Sequence, residues 1–517
     1  MIIDDVKGYK MKTVKWFWVS IFIVGFFVRS THVFQPINTE SWREADVATI
    51  AKNFYINGTD IFHPQIAYGG NGPGYVESEF QLYSYLIATS YKIFGFWEQT
   101  GRIISLLVSL ATMLVFFKLS SFLLESTAAL ASSFFFSLSP ILTVVSVAIQ
   151  PESLMFFFYV CSAYAFLRWL DNPLKRYYWL AILCTALALL CKVTAANIGI
   201  FFLFMIVTKK GWKFLFKPQV MIFGILTTVP SILWYWYSHH FYVLYGNSLG
   251  VSNEYHWIGW DFFTGLHFIK GLVTNEIFNV WTLFGPLIVA LALILTGLRK
   301  KEGFLLASLW FASASVFYII TVRSTGETWA WYYHIFSIPS MSILLGISVI
   351  ELYNKYSQKL NIARKGTLET TALLKNSSFL ALLGILTSCY IISCYIYSIK
   401  RKQTIFETSK YYICKDSLKR LIPENSLILV TGGFKQDKSG HVLAFDIGYF
   451  YYWLNRKGYS ISVEDLALKN ILAFKKEGVT YFVAEENILG NKPGLVAELK
   501  KNLKVVFECN GCILFSL

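Results

Sequence analysis

The chain has 517 residues, of which 55% are hydrophobic and only 15% are charged, and its mean hydropathy is +0.50. Soluble domains carry about 25% charged residues, so this composition excludes disorder and argues against an ordinary soluble enzyme. The net charge is +15, but Lys and Arg fall mostly in short tracts between apolar runs. That arrangement is typical of membrane proteins, and it does not indicate nucleic-acid binding.

Apolar runs along the chain predict eleven membrane spans. Residues 14–34 follow four lysines and predict an uncleaved helix with a cytoplasmic N-terminus. Residues 35–99 are polar and form a predicted first outer loop, in which 80–96 is expected to be an amphipathic helix at the membrane interface. The alternative is a true span at 80–96, which would invert the membrane orientation of every later span and loop. A run of about 20 residues crosses a membrane of ~30 Å, and the 177–192 run is short and could be tilted or partly re-entrant. The ten later spans are predicted at 101–123, 126–148, 153–170, 177–192, 194–208, 219–238, 272–298, 304–322, 332–352 and 378–399.

The distribution of basic residues tests this topology. The predicted inner loops hold tracts such as Lys209-Lys210 and Arg299-Lys300-Lys301, whereas the outer loops between later spans hold little beyond Lys192, Lys270 and Arg323. Basic residues are enriched in cytoplasmic loops. The asymmetry therefore favours eleven spans in the plasma (inner) membrane, and an odd number places the C-terminal domain outside the cytoplasm.

Residues 400–517 are soluble in character and predict a small α/β domain. Buried strands are expected at 426–431 and 479–484, and helical patterns fall at 468–476 and 496–501. A hairpin is expected over 505–517 around the Asn510-Gly511 turn. The predicted fold class is thus an α-helical polytopic membrane protein, with a membrane domain at 1–399 and an extracytoplasmic α/β domain at 400–517.

The eight cysteines predict no disulfide framework. Five of them lie in apolar runs, where a free cysteine behaves as a small hydrophobic residue. Cys509 and Cys512 flank the hairpin turn and are expected to be strand-edge cysteines. The alternative is zinc or redox chemistry, but a single C-x-x-C motif gives that little support.

Ionisable residues beside membrane spans are energetically costly and therefore mark function. By the predicted topology they gather at one membrane face from five segments: the first outer loop, the corner before the fourth span, the end of the fifth, the loop after the seventh, and the turn between the ninth and tenth. These residues are Arg43, Glu44, Asp46, Glu77, Glu79, Glu152, Lys192, His239, His240, His256, Arg323 and His334.

The residue types at this face suit one kind of chemistry. Carboxylates at a lipid boundary can take a proton from a nucleophile or hold a metal. Lys, Arg and His at the same depth can hold a phosphate by charge-assisted hydrogen bonds. Together they predict displacement of a lipid-linked phosphate.

Several short motifs follow one another along the chain: Trp42–Asp46, Ile50–Tyr55, Ser78–Tyr83, Gly101–Ser105, Ser139-Pro140 with Gln150–Glu152, and Leu189–Lys192. In this order they resemble the family 39 glycosyltransferases of the GT-C superfamily, which include protein O-mannosyltransferases and the lipid A aminoarabinose transferase. The similarity covers roughly residues 14–350. The family has Asp where Glu152 stands, and often an Asp-Glu pair where this chain has Glu44-Ala45-Asp46.

The resemblance implies a GT-C fold and an inverting transfer of a hexose or pentose from a polyprenyl phosphate to an acceptor at the outer face. It implies that Asp46 is the general base or orients the acceptor, with Glu152 and Glu44 beside it. A divalent metal ion is possible, and no cofactor is certain. The residues expected to hold the donor phosphate are Lys192, Arg323, His334 and Arg43, and those expected to support the acceptor or a metal are Glu79, Glu77, His239 and His240.

Each candidate also has a structural alternative. Asp46 could cap a helix, Glu152 could favour a helix N-terminus through the dipole, and Lys192 could extend to the membrane interface. Arg43 and Glu44 could form an exposed pair. For the whole chain, the alternatives are a transporter or flippase of lipid-linked sugars, which would show internal repeats, and an assembly protein without chemistry.

Overall fold

The computed structural model describes residues 10–38, 42–58, 60–252, 267–365, 370–437, 440 and 442–517. His256 lies outside them. The membrane domain is a bundle of helices that pack through apolar side chains. Its α-helices are α1 (Lys10–Ser30), α2 (Trp42–Asn57), α3 (Leu82–Phe94), α4 (Thr100–Leu123), α5 (Ser126–Leu138), α6 (Pro140–Val145), α7 (Glu152–Asp171), α8 (Lys175–Cys191), α9 (Ile198–Lys210), α10 (Pro218–Tyr245), α11 (His267–Asn275), α12 (Phe284–Leu295), α13 (Glu302–Ile320), α14 (Val322–Thr325), α15 (Ile338–Lys365) and α16 (Thr370–Phe406).

Every predicted span is helical, and within the described residues seven helices are long and apolar enough to cross a membrane, or eight if one bent pair counts as a span. The bent pair covers 268–295, where two helices meet at 85° around Thr282, whose φ is +52°. The predicted span at 126–148 is broken, because Ser139 precedes Pro140 and adopts an extended conformation that ends α5. The count of eleven spans stays a prediction.

The 35–99 segment, the first loop, contains α2 and α3. At 13 residues α3 measures about 20 Å, too short for a span of ~30 Å. Tyr83, Ile87 and Tyr91 on one face of α3 are buried, whereas Ile93 and Phe94 at its end are exposed. This two-faced helix has the character expected of an interfacial helix.

The C-terminal domain is a five-stranded sheet in the order β2-β1-β3-β5-β4. The strands β2, β1 and β3 are parallel, and β3, β5 and β4 are antiparallel. The predicted hairpin is present, with Asn510 and Gly511 both at positive φ, as its tight turn requires. The elements are β1 (Leu427–Thr431), β2 (Gly458–Ile461), β3 (Val479–Glu485), β4 (Lys504–Cys509), β5 (Cys512–Ser516), α17 (Lys415–Leu421), α18 (Tyr449–Leu454), α19 (Leu468–Ala473), α20 (Glu486–Leu489) and α21 (Leu495–Asn502).

The expectation of no disulfide is wrong. Cys414 and Cys509 form a disulfide that joins the segment after α16 to the edge strand β4. Cys512, the other cysteine of the C-x-x-C motif, is a buried free thiol. The motif therefore supplies one half of a cross-link whose other half lies 95 positions earlier.

The first loop is joined to the C-terminal sheet by backbone hydrogen bonds. Gly70 N donates to the carbonyl of Gly458 at 2.8 Å, and Gly458 N donates to the carbonyl of Ala67 at 3.1 Å. Tyr68 thereby pairs with Gly458 as a short parallel extension beside β2. This pairing holds the C-terminal domain against the first loop.

Candidate functional site

Arg43 and Glu44 are not an exposed pair, and each has a different partner. Glu44 is fully buried, and its two oxygens accept from Arg102 Nη1 and Nη2 at 2.9 and 2.8 Å. Its Oε1 also accepts from the backbone N–H of Ile149 at 2.8 Å. Because the whole carboxylate is engaged, the geometry gives Glu44 a structural role that ties α2 to α4 and to the corner before α7.

Arg43 pairs with Glu79 across the first loop. Its Nη2 donates to Glu79 Oε1 at 2.6 Å, and its Nη1 donates to the carbonyl of Leu249 at 3.0 Å. Burial opposes ionisation of Glu79, but the positive charges of Arg43 and Lys192 outweigh it and hold the pKa of Glu79 below its usual range. Glu79 is thus an ionised carboxylate that orients Arg43.

Lys192 lies where α8 ends, and its backbone is extended before a 3₁₀ turn at Val193–Asn197. Its ammonium group pairs with Oε1 of Glu152, the first residue of α7. The rings of Tyr332 and Tyr333 lie on this ammonium, with each centroid 5.0 Å from Nζ. Lys192 is therefore held in a cage and does not extend freely to the interface. The Oε2 atom of Glu152 is buried, with no hydrogen-bond partner among the described residues.

Asp46 lies on α2 at the contact with the C-terminal domain and is almost fully buried. The hydroxyl of Tyr68 hydrogen bonds to it, and burial together with the charge of Asp46 raises the pKa of Tyr68. Gly448, just before α18, packs directly on Asp46: a Cβ there would lie 2.6 Å from Asp46 Oδ1. Asp46 is therefore enclosed by residues of both domains.

These residues form one electrostatic cluster, which we call the candidate site: Arg43, Asp46, Glu79, Glu152 and Lys192. Arg43 interacts with the charges of Glu79, Asp46 and Glu152, and Lys192 with those of Glu152 and Glu79. A backbone hydrogen bond of 3.1 Å from Phe80 N to the carbonyl of Leu190 joins the Glu79 loop to the end of α8. Segments far apart in sequence thus place two cations and three carboxylates together.

Glu77 and His239 lie together in a different arrangement. Glu77 Oε1 is 2.8 Å from His239 Nδ1, and Glu77 Oε2 accepts from Ser248 Oγ at 2.6 Å. The Glu77–His239 pair ties α10 to the first loop, and the hydrogen bond from Ser248 ties the segment after α10 to it. His240 is exposed on the same helix.

His334 lies in a second buried polar cluster. Its Nδ1 is 2.6 Å from Glu276 Oε1, and its Nε2 is 3.0 Å from the carbonyl of Thr325. Thr325 belongs to α14, the short helix that also carries Arg323. Both ring nitrogens are engaged, so the geometry favours a structural role for His334 over phosphate binding.

Three carboxylates in and beside the site are already engaged by cationic side chains. Glu79 and Glu152 pair with cations, and Glu44 is saturated by Arg102. Among the described residues, no group of three His, Cys, Asp or Glu side chains has a metal-binding arrangement.

Several residues at or beside the site are not predicted from the sequence. Arg102 is identified from the sequence only as part of a motif. Tyr68, Gly448 and Glu276 were not singled out. Their roles depend on contacts between segments far apart in sequence, although the glycine before the aromatic run 449–453 is a detectable local signal.

Comparisons with known proteins concern the fold of the chain. The family model of dolichyl-phosphate-mannose-protein mannosyltransferases matches residues 81–236. The structure of ArnT from Cupriavidus metallidurans bound to undecaprenyl phosphate is similar, with a TM-score of 0.62, 12% identity and 98% of each chain covered. No curated protein matches by sequence.

Two further solved structures share the fold. The oligosaccharyltransferase AglB from Archaeoglobus fulgidus, in complex with an inhibitory peptide and a dolichol-phosphate, has a TM-score of 0.57 and 11% identity over 92% of this chain and 70% of its own. The mycobacterial arabinofuranosyltransferase AftD has a TM-score of 0.52 and 10% identity over 98% of this chain and 41% of its own.

The chain is thus a multi-pass membrane protein with the GT-C fold of membrane glycosyltransferases. The family model that matches residues 81–236 agrees with the resemblance that the motifs indicate.

Proposed function

We propose that this glycosyltransferase moves a hexose or pentose from a polyprenyl phosphate to an acceptor at the outer face of the membrane, with inversion at the anomeric carbon. The observation that carries the proposal is the candidate site itself, in which caged cations and a buried aspartate meet at one end of the helix bundle. The solved ArnT structure is bound to undecaprenyl phosphate, which supports a donor of this chemical type.

The proposed reaction is a single displacement. The acceptor hydroxyl attacks the anomeric carbon, the bond from that carbon to the phosphate oxygen breaks, and the hydroxyl proton passes to Asp46. Polyprenyl phosphate leaves with the bonding electron pair, and Lys192 and Arg43 stabilise the negative charge that develops on it. Glu152 and Glu79 orient these two cations, since they already pair with them. This mechanism uses only the side chains of the chain.

We further propose that the C-terminal domain lies outside the cytoplasm. Structural disulfides persist in oxidising compartments and are rare in the cytosol, and the Cys414–Cys509 disulfide belongs to this domain. The basic tracts at the opposite ends of the spans support the same orientation.

The test is donor consumption by the purified protein. A polyprenyl-phosphate sugar with a labelled sugar is supplied with candidate acceptors in turn, and the release of polyprenyl phosphate is measured. Release that depends on the acceptor is expected. If the donor crosses the bilayer of a proteoliposome without being consumed, the flippase alternative is correct and the proposed function is wrong.

A further inference from the structure

The C-terminal domain brings a second carboxylate towards Asp46. Asp446 lies two residues before Gly448, the glycine that packs on Asp46. The charge of Asp446 acts on the hydroxyl of Tyr68, and that hydroxyl hydrogen bonds to Asp46. Asp46 and Asp446 therefore approach the same tyrosine from different domains.

The position of Asp446 is well defined. Its carboxylate accepts a hydrogen bond from the hydroxyl of Ser460 on β2, and Ser460 Oγ lies 3.1 Å from the hydroxyl of Tyr451. The rings of Tyr451 and Tyr68 lie 5.9 Å apart. The pairing of Tyr68 with Gly458 fixes the first loop against this same strand.

Charge divides the site into two sides. Lys192 and Arg43 form the side suited to a phosphate. Arg43 also acts on Asp46 and on the hydroxyl of Tyr68, but its guanidinium is already paired with Glu79. Asp46 and Asp446 flank Tyr68 on the side that faces the C-terminal domain, where the nearby cation Lys435 already pairs with Asp465. A phosphate on the acceptor would meet two carboxylates there, and like charges at short distance repel.

We propose that Asp446 binds the acceptor, and that the acceptor is a neutral glycan. A sugar presents several adjacent hydroxyl groups, so one can be deprotonated by Asp46 while a neighbouring one donates to Asp446. A Ser or Thr side chain of a peptide presents only one. This inference rests on the proposed function, since it names the acceptor class of that same site.

The experiment compares Asp446→Asn with the parent, using neutral methyl glycosides, the same glycosides carrying a phosphate, and a Ser/Thr-containing peptide as acceptors. Asp446→Asn should raise KM for the neutral glycoside about 10-fold, a size that fits the loss of one charged hydrogen bond. Asp416→Asn, an exposed aspartate of the same domain paired with Lys415, is the matched control and should leave KM unchanged.

An unchanged KM in Asp446→Asn would overturn the role of Asp446, and use of the peptide in place of the glycosides would overturn the acceptor class. Asp446→Glu keeps the charge and should retain part of the glycoside affinity, which separates this role from a loss of folding. If the parent releases no polyprenyl phosphate with any acceptor or with water, the proposed function itself fails. That result is distinct from a change confined to KM.

Discussion

Removal of the charge of Lys192 tests the link between membrane position and chemistry. Lys192→Met keeps the aliphatic stem between Tyr332 and Tyr333 and deletes the ammonium group. A hydrogen bond to a charged group contributes about 1.5–3 kcal/mol, which corresponds to a loss of roughly 10–150-fold in kcat/KM for the donor. Lys192→Arg should retain part of the activity, because the planar guanidinium group keeps the positive charge but does not reproduce the geometry of the lysine ammonium group.

The same change also affects stability, because it leaves Glu152 without its partner. The side chains of Lys192 and Glu152 are only 14% and 4% exposed, and removal of one member of a buried pair costs about 3–5 kcal/mol. The double variant Lys192→Met/Glu152→Gln removes both charges and should recover most of this stability. It should not recover affinity for polyprenyl phosphate, since the cation is still missing.

The assay measures Kd for polyprenyl phosphate and kcat/KM for the donor on each variant, with thermal unfolding in parallel. Lys209→Met is the matched control, because Lys209 pairs with Glu302 at the other end of the span Val193–Lys210 and the pair is largely exposed. It should behave like the parent. If Lys192→Met binds polyprenyl phosphate as tightly as the parent, the phosphate site lies elsewhere and the assignment of Lys192 is refuted.

Four other predictions concern residues around the site and the orientation of the chain. Glu44→Gln removes the buried ion pair with Arg102 and should lower the free energy of unfolding by about 3 kcal/mol. A large fall in kcat without loss of stability would instead give Glu44 a chemical role. Gly448→Ala should lower kcat at least 10-fold with little change in Tm, because the new Cβ displaces the Asp46 carboxylate. The control Gly490→Ala, in the same domain, meets only ordinary contacts and should change neither kcat nor Tm. Burial raises the pKa of Asp446 to about 6, with Ser460 and Lys435 opposing the shift. The KM for the acceptor should therefore rise as the pH falls below about 6 and Asp446 becomes protonated. This rise in KM should be absent in Asp446→Asn, and a rise that persists in the variant would assign the titration to another group. Cysteines at the exposed positions Gly72 and Gly490 should react with an impermeant reagent from outside, and one at Lys301 should not. The reverse pattern would invert the topology.

The elements that the sequence predicts correctly are those with a local cause. Apolar runs produce helices in the membrane domain wherever they occur, and Asn510-Gly511 forms its hairpin because both residues tolerate positive φ. The break at Ser139-Pro140 also had a local signal, the proline itself.

The contacts that the sequence does not predict join residues that are far apart along the chain. Glu44 looks like a surface residue until Arg102, 58 positions later, takes both of its oxygens. Cys414 and Cys509 are 95 positions apart, and nothing in either local sequence identifies the other. Asp446 has no periodic pattern around it, and its relation to Asp46 exists only because the first loop pairs with β2.

The most direct test of the central claim is transfer of a labelled sugar by the Asp46→Asn variant. This substitution keeps the size of the side chain and removes its charge. Loss of a general base should lower turnover by about 10²–10⁴-fold. Asp60→Asn, an exposed first-loop aspartate paired with His63, is the matched control and should turn over normally. The account predicts that Asp46→Asn folds and binds polyprenyl phosphate like the parent but transfers almost no sugar. Near-normal transfer by the purified variant would contradict it.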